Sequence, residues 1–368
     1  GQAPGHRPIL DAPDHGQGRT RSTDCPDPPV GGLKTAFDTS HLDPVSGSWV
    51  VIGEPWGHDL LAFLGEGRPA VARAEQLITS VEREDDAPAP SGLPFTPMSL
   101  RAFALWESHM VDGARGMVAK FGSPAEKWAS RAFERLTGAV LPALRPRPNY
   151  YRDPQFYMGN HRSLVANGEV LSWPPFADVL DFELELGVVI ARPVQDCLPA
   201  DGLAAIGGFV VVNDWSARDT QWDDTRRGTF GGVVKAKTFA GGMSAVVVTA
   251  DEVLPRWDQL NGRVLVNGEV WAHGSTQNPR HGLGAAVAYA ACGESLGAGD
   301  VLSTGTLPGC CGLEMRRFPG SGDEVRLEID GIGSLTNRIG PRHSPVPTRA
   351  DRRAPLPRPL LPRESQLK

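Results

Sequence analysis

The run Asp181-Phe182-Glu183-Leu184-Glu185-Leu186-Gly187-Val188-Val189-Ile190 limits the fold more than any other stretch of the chain. Its first half alternates acid and apolar residues, and its second half is apolar at every position after Gly187. Successive side chains of a strand point to opposite faces. The apolar half must therefore be covered on both faces, as an inner strand of a layered domain is. Glu183 and Glu185 project from one face, about 7 Å apart at roughly 3.3 Å per residue. Such alternation is ordinarily the wet face of an antiparallel strand. Here the strand ends in a buried neighbourhood, where paired acids require a cation or a proton.

A second apolar run, Phe209 to Val212, also delivers a carboxylate at its end, Asp214 after Asn213. Three carboxylates converging from strand ends suit hard divalent cations, which prefer oxygen ligands and keep positions for water and substrate. Asn213 to Gln221 reads as a polar turn, the usual place for ligand-binding groups. Within it, Arg218 offers a planar fork for a substrate carboxylate. The plainer reading is an ion pair with Asp219 or Asp223. Lys237, between a Gly-rich turn and a strand, can supply positive charge beside an enolate. Thr304 to Gly309, with Thr306 inside it, reads as a flexible turn able to bring backbone N–H groups against an oxyanion.

The rest of the chain frames this chemistry. Its 368 residues can bury a substantial core. A formal net charge of -6 advertises no surface for nucleic acid. No apolar run approaches the length of a membrane span, and the start lacks the apolar core of a signal peptide. Five scattered cysteines with no C-x-x-C pair point to a reducing cytoplasm. Residues 1–35 read as a disordered leader. Residues 341–368, with seven prolines and seven Lys or Arg, read as a flexible tail. Trp49 to Ile52 and Asp59 to Leu64 read as strands, Val71 to Val81 as a helix, Asp85 to Pro97 as a loop, and Ser99 to Phe121 as a longer helix. Ser123-Pro124-Ala125-Glu126 is a capping box opening another helix. From Tyr150 onward short β-rich runs alternate with turns. They include an Asn267-Gly268 hairpin signal and helices at Ala200 to Ile206 and Gly284 to Ala291. The fold class is α+β, mainly β: a small mixed α/β N-terminal part (36–148) and a larger catalytic part (149–340).

Four runs in this order, DFELELGVVI, NDWSARDTQW, KAKTFAGG and STGTLPG, resemble the fumarylacetoacetate hydrolase family, especially its longer members. Phe103 to His109 resembles the segment that carries the family's catalytic His, and Phe156 to Asn160 its substrate-binding Tyr segment. The resemblance implies a β-roll catalytic domain, usually dimeric, with Mg²⁺, Mn²⁺ or Ca²⁺. It implies Glu183, Glu185 and Asp214 as metal ligands and His109 as general base. Tyr157 and Arg218 become substrate-binding residues, and Gln221 and Lys237 stabilisers of negative charge. Two positions depart from the pattern. Ala102 stands where long members carry a fourth metal-ligating Asp. The Glu that supports the His would fall near Cys311, leaving Glu107 or Glu314 for that task. Cys310 and Cys311 themselves read as small packed side chains.

The expected activity is metal-dependent hydrolysis of a carbon–carbon bond in a small oxo-acid or diketone. Decarboxylation, isomerisation and sugar-acid dehydration use the same metal–enolate chemistry. A non-catalytic protein on the same fold is the alternative of another class.

Overall fold

The computed structural model describes residues 34–35, 40–42, 49–51, 55–56, 59–80 and 90–342. The leader before residue 34, the loop up to residue 89 and the tail beyond 342 lie outside the described residues. The elements that build the site are β1 (Ser99–Phe103), α1 (Glu107–Phe121), β2 (Phe156–Gly159), β3 (Glu183–Ile190), β4 (Ile206–Asn213), α2 (Arg218–Arg227) and β5 (Asp300–Cys311).

The two apolar runs find each other, which fixes the centre of an 11-stranded sheet. β3 lies antiparallel between β4 and β5. β5 runs parallel to β1, and β1 antiparallel to β2. Beyond β4 the sheet continues through Val247–Thr249 to the short strands Lys34–Thr35, Ser40–Leu42 and Trp49–Val51. A five-stranded sheet built on the Asn261–Val266 and Glu269–Ser275 hairpin packs beside it. Asn267 and Gly268 close that hairpin at φ 52° and 79°, the left-handed pair a two-residue turn needs. The fold is α+β and mainly β, as expected.

The parity of β3 divides the interior. Leu184, Leu186, Val188 and Ile190 join the core shared with Val264, Val266, Leu327 and Ile329 of the smaller sheet. Val189, on the other face, joins Val210, Val212 and Val301 under the helices Leu60–Glu66 and Arg68–Ser80, where Phe63, Leu64 and Ala74 cover it. Each buried Val, Leu, Ile or Phe among them stabilises the fold by roughly 1.5–3 kcal/mol. The Ser123 helix begins as expected, with both halves of its capping box made.

Several local expectations change. Asp59 to Leu64 is a helix, not a strand: Asp59 Oδ1 accepts from the Ala62 N–H at 2.9 Å, and Leu60, Phe63 and Leu64 share one buried stripe. The helix expected from Ser99 starts only at Glu107, because 99–103 is claimed as β1 by its neighbours β2 and β5. Thr304 to Gly309 is not a free turn but part of β5. Its register slips between Ser303 and Thr306 around Gly305, whose φ of 88° permits the bulge.

Candidate functional site

The same face of β3 that is apolar at Val189 becomes acidic two pairs further on. Glu183 and Glu185 are buried there. Val212 lies directly opposite Glu185, so Asp214, two residues beyond Val212, arrives on the same side. The chain turns this corner through Asn213, whose Oδ1 accepts from the Glu183 N–H at 3.0 Å. The Asp214 N–H donates to the Glu183 carbonyl at 3.2 Å. Carboxylate oxygens of Glu183, Glu185 and Asp214 all lie within 4.8 Å of one another. The β5 bulge brings two hydroxyls onto Glu185: Ser303 donates to Oε2, and Thr306 donates to Oε1 at 3.4 Å.

Cations hold the other two acids. Lys237 Nζ donates to Glu183 Oε2 at 2.5 Å and to Asp214 Oδ2 at 2.8 Å. The Tyr157 hydroxyl also donates to Asp214 Oδ2. Arg218 donates from Nε to Asp181 Oδ2 at 2.7 Å, from one terminal nitrogen to Glu183 Oε1 at 2.6 Å, and from the other to Gln221 Oε1 at 2.8 Å. Its fork is thus committed inside the protein. Asp181, Glu183 and Gln221 are thus the partners of the fork that the resemblance assigns to the substrate.

Charge does not balance in this cluster. Asp181, Glu183, Glu185 and Asp214 are buried with Arg218 and Lys237. Fully ionised, four carboxylates face two cations, leaving two negative charges uncompensated. Burial, then the charges of Asp214 and Glu183, pushes the Glu185 carboxyl well above the usual carboxylate range. Asp214 rises to about 6, again through burial, with Lys237 opposing. Burial acts the same way on Glu183, but Lys237 and Arg218 outweigh it and hold that group low. Glu185, which among the described residues has hydroxyl partners and no hydrogen-bonded cation, carries the mismatch. A divalent cation matches both the missing charge and the all-oxygen donor set.

His109 sits in the first turn of α1, its Nδ1 3.3 Å from Glu314 Oε2. That contact is close but poorly aligned, and Nδ1 makes no hydrogen bond among the described residues. Of the two acids expected to support His109, Glu314 is the one brought to it. Glu107 instead accepts from the exposed Tyr151 hydroxyl at 2.6 Å. Gln221 presents its oxygen to Arg218, which leaves its amide NH₂ available as a donor. Ala102 and Tyr157 are paired across β1 and β2 and line one cleft with Glu185, Asp214, Lys237 and Ser303. A roomier hollow near Phe63 and Arg192 lies apart from this cluster.

Sequence reasoning missed Asp181 and Ser303. Asp181 continues the alternation of Glu183 and Glu185 and was legible in that period. Ser303 had no signal, because its role depends on the bulge in β5.

Three carboxylates thus meet at the ends of two central strands of the large sheet, with a His–Glu contact alongside. The chain belongs to the fumarylacetoacetate hydrolase family: the profile described as Fumarylacetoacetate (FAA) hydrolase C-terminal matches residues 130–340. Protein Rv2993c of Mycobacterium tuberculosis is 32% identical over 190 residues, covering 51% of this chain and 66% of that protein. The homoprotocatechuate catabolism bifunctional isomerase/decarboxylase of Escherichia coli is 28% identical over 187 residues, covering 51% and 41%. The match therefore spans less than two thirds of either curated relative. Among solved structures, the fumarylacetoacetate hydrolase of Exiguobacterium antarcticum superposes with a TM-score of 0.60 over 85% of this chain and 100% of that one, at 20% identity. At that identity the likeness shows the shared fold. Among the described residues, no helix is long and apolar enough to cross a membrane.

Proposed function

We propose that the chain is a divalent-cation-dependent hydrolase that breaks a carbon–carbon bond in a small 1,3-diketone or acyl-2-oxo acid, in the manner of a fumarylacetoacetase. The observation that carries this reading is the contact between His109 and Glu314 at 3.3 Å. It lies beside an acid cluster whose Glu183 is close enough to feel a charge on His109. Hydrolysis adds to this chemistry a base that activates water, and His109 is suited to that task.

Glu183, Glu185 and Asp214 would hold the cation, Mg²⁺ first and Mn²⁺ or Ca²⁺ as alternatives. When bound, it supplies Lewis acidity to the carbonyl oxygens of the substrate. His109 Nε2 takes a proton from water while Glu314, behind Nδ1, stabilises the imidazolium. The hydroxyl adds to the distal carbonyl carbon, the adjacent C–C bond breaks, and its electron pair passes to the leaving enolate. The Lys237 ammonium and the Gln221 amide NH₂ face that developing charge. Tyr157, between Asp214 and the cleft, and Thr306, behind Glu185, orient the substrate side. Assembly as a homodimer and residence in a reducing cytoplasm belong to the same proposal, and the free thiols of Cys310 and Cys311 suit such a compartment.

A second reading, isomerisation or decarboxylation, is favoured by the likeness to the bifunctional isomerase/decarboxylase of Escherichia coli. His109→Ala separates the two on a panel of acylpyruvates and unsaturated 2-oxo diacids. Hydrolysis should fall by about 10²–10⁴-fold, the usual contribution of a general base, whereas decarboxylation keeps its rate. An unchanged hydrolysis rate would remove His109 from the mechanism. Full activity after exhaustive chelation would remove the cation.

A further inference from the structure

His109, Glu314 and Cys311 meet at the end of β5, beside the acid cluster but outside it. Cys311 ends β5 directly opposite Glu183, and Glu314 follows in the turn Gly312–Met315. α1 is locked against that turn, since a Cβ on Gly116 would lie only 2.2 Å from the Leu313 carbonyl oxygen. That close approach delivers His109 to Glu314. Neighbouring strand residues point to opposite faces. Accordingly Cys310 points towards Gly274, while the Cys311 sulfur lies 3.3 Å from Glu314 Oε2.

One Nδ1 or Nε2, one sulfur and one carboxylate oxygen of this trio all lie within 4.8 Å of one another. Zinc bonds of about 2.0–2.1 Å to nitrogen, 2.0–2.2 Å to oxygen and 2.3 Å to sulfur, at tetrahedral angles, place ligand atoms about 3.3–3.6 Å apart. The N···O and S···O separations are both 3.3 Å. The donors also lack other partners. The Glu314 side chain is 5% exposed. Its Oε1 and the His109 Nδ1 are buried without a hydrogen bond among the described residues. Imidazole and thiolate are donors that the carboxylate cluster lacks, and they favour Zn²⁺ over Mg²⁺.

We propose that His109, Cys311 and Glu314 form a second cation site, one that takes Zn²⁺ or another thiophilic divalent ion and silences the enzyme. Bonds form from the ion to His109 Nδ1, the Cys311 sulfur and Glu314 Oε2, and the thiol proton leaves to solvent. No electron is transferred. Two anionic ligands and one neutral imidazole cancel the charge of the ion, so the loaded site is neutral and tolerates burial. Loading withdraws electron density from the imidazole that would accept the proton of water. Only this inhibitory consequence rests on the proposed role of His109.

Cobalt reports the site directly, because a Co²⁺–thiolate bond gives an intense near-ultraviolet charge-transfer absorption that carboxylate-bound Co²⁺ does not. The full-length protein, with Mg²⁺ in excess, is titrated with Co²⁺ and then with Zn²⁺. The absorption should appear, be displaced by Zn²⁺, and vanish in both Cys311→Ser and Cys311→Ala. Over the same titration, wild-type turnover should fall by about 10²-fold, the lower end of what a general base contributes. The Cys311 variants should keep their activity. Absence of the absorption in the wild type, or its persistence in both variants, would overturn the site. Absorption without inhibition would uphold the site and count against His109 as the base.

Discussion

One face of the large sheet behaves in two opposite ways along its length. At Val189, Val210 and Val301 it is apolar and sealed by the helices Leu60–Glu66 and Arg68–Ser80. A few residues along the same strands it carries Glu183, Glu185 and, past the end of β4, Asp214, against Ser303, Tyr157 and Lys237. Backbone geometry and side-chain parity are continuous between the two ends. The difference is closure. The apolar end is finished by the chain itself, whereas the acid end, with all four carboxylates ionised, would be two positive charges short. A fold that buries charge it does not neutralise is incomplete without a ligand, because uncompensated buried charge costs several kcal/mol.

Changing the closure of either end should break this contrast. Lys237 touches both Glu183 and Asp214. Lys237→Ala should lower turnover by about 10²–10³-fold, as loss of a well-placed electrostatic stabiliser does. Steady-state kinetics within a few-fold of wild type, on every oxo-acid and diketone tried, would refute its role. At the other end, Val189→Glu places a carboxylate among Val210, Val212 and Val301. Urea unfolding should register a loss of at least about 4 kcal/mol, and a loss under about 1 kcal/mol would show that the apolar end is wetter than its burial implies. The smallest change sharpens the contrast. Ala102→Asp adds a carboxylate to the cleft wall beside Tyr157 and Ser303. Calorimetric titration should find Mg²⁺ held about ten-fold tighter, since ligand charge count tunes such affinities. Unchanged affinity would mean that position 102 does not face the ion.

Much of the acid end was legible before any coordinates. The alternation of Asp181, Glu183 and Glu185 fixes a common face, and two apolar strands that each end in acid can bring their carboxylates together. The hairpin and the capping box are equally local signals, and both appear where the sequence places them. What escaped depends on distant partners or on polar packing. β1 is a strand only because β2 and β5 flank it, and α1 opens at Trp106 with no side-chain cap to mark its start. α2 reads as a turn because its buried residues are Arg218 and Thr220, so it has no apolar stripe. The internal engagement of Arg218 was hidden for the same reason. A guanidinium fork fits a substrate carboxylate and two buried side-chain carboxylates equally well, and only the fold decides between them.

Glu185 is the sharpest test of incompleteness, since it is buried with no cation hydrogen-bonded to it among the described residues. Glu185→Gln keeps an oxygen to accept from Ser303 and Thr306 while removing the charge. The decisive measurement is thermal unfolding of wild type and Glu185→Gln, each in chelator and in saturating Mg²⁺. In chelator the variant should melt above wild type, because the like-charge penalty has been relieved. Mg²⁺ should raise the wild-type midpoint by linkage to the native state and leave the variant nearly unmoved. A variant that melts below wild type in chelator, yet is stabilised as strongly by Mg²⁺, would contradict the account.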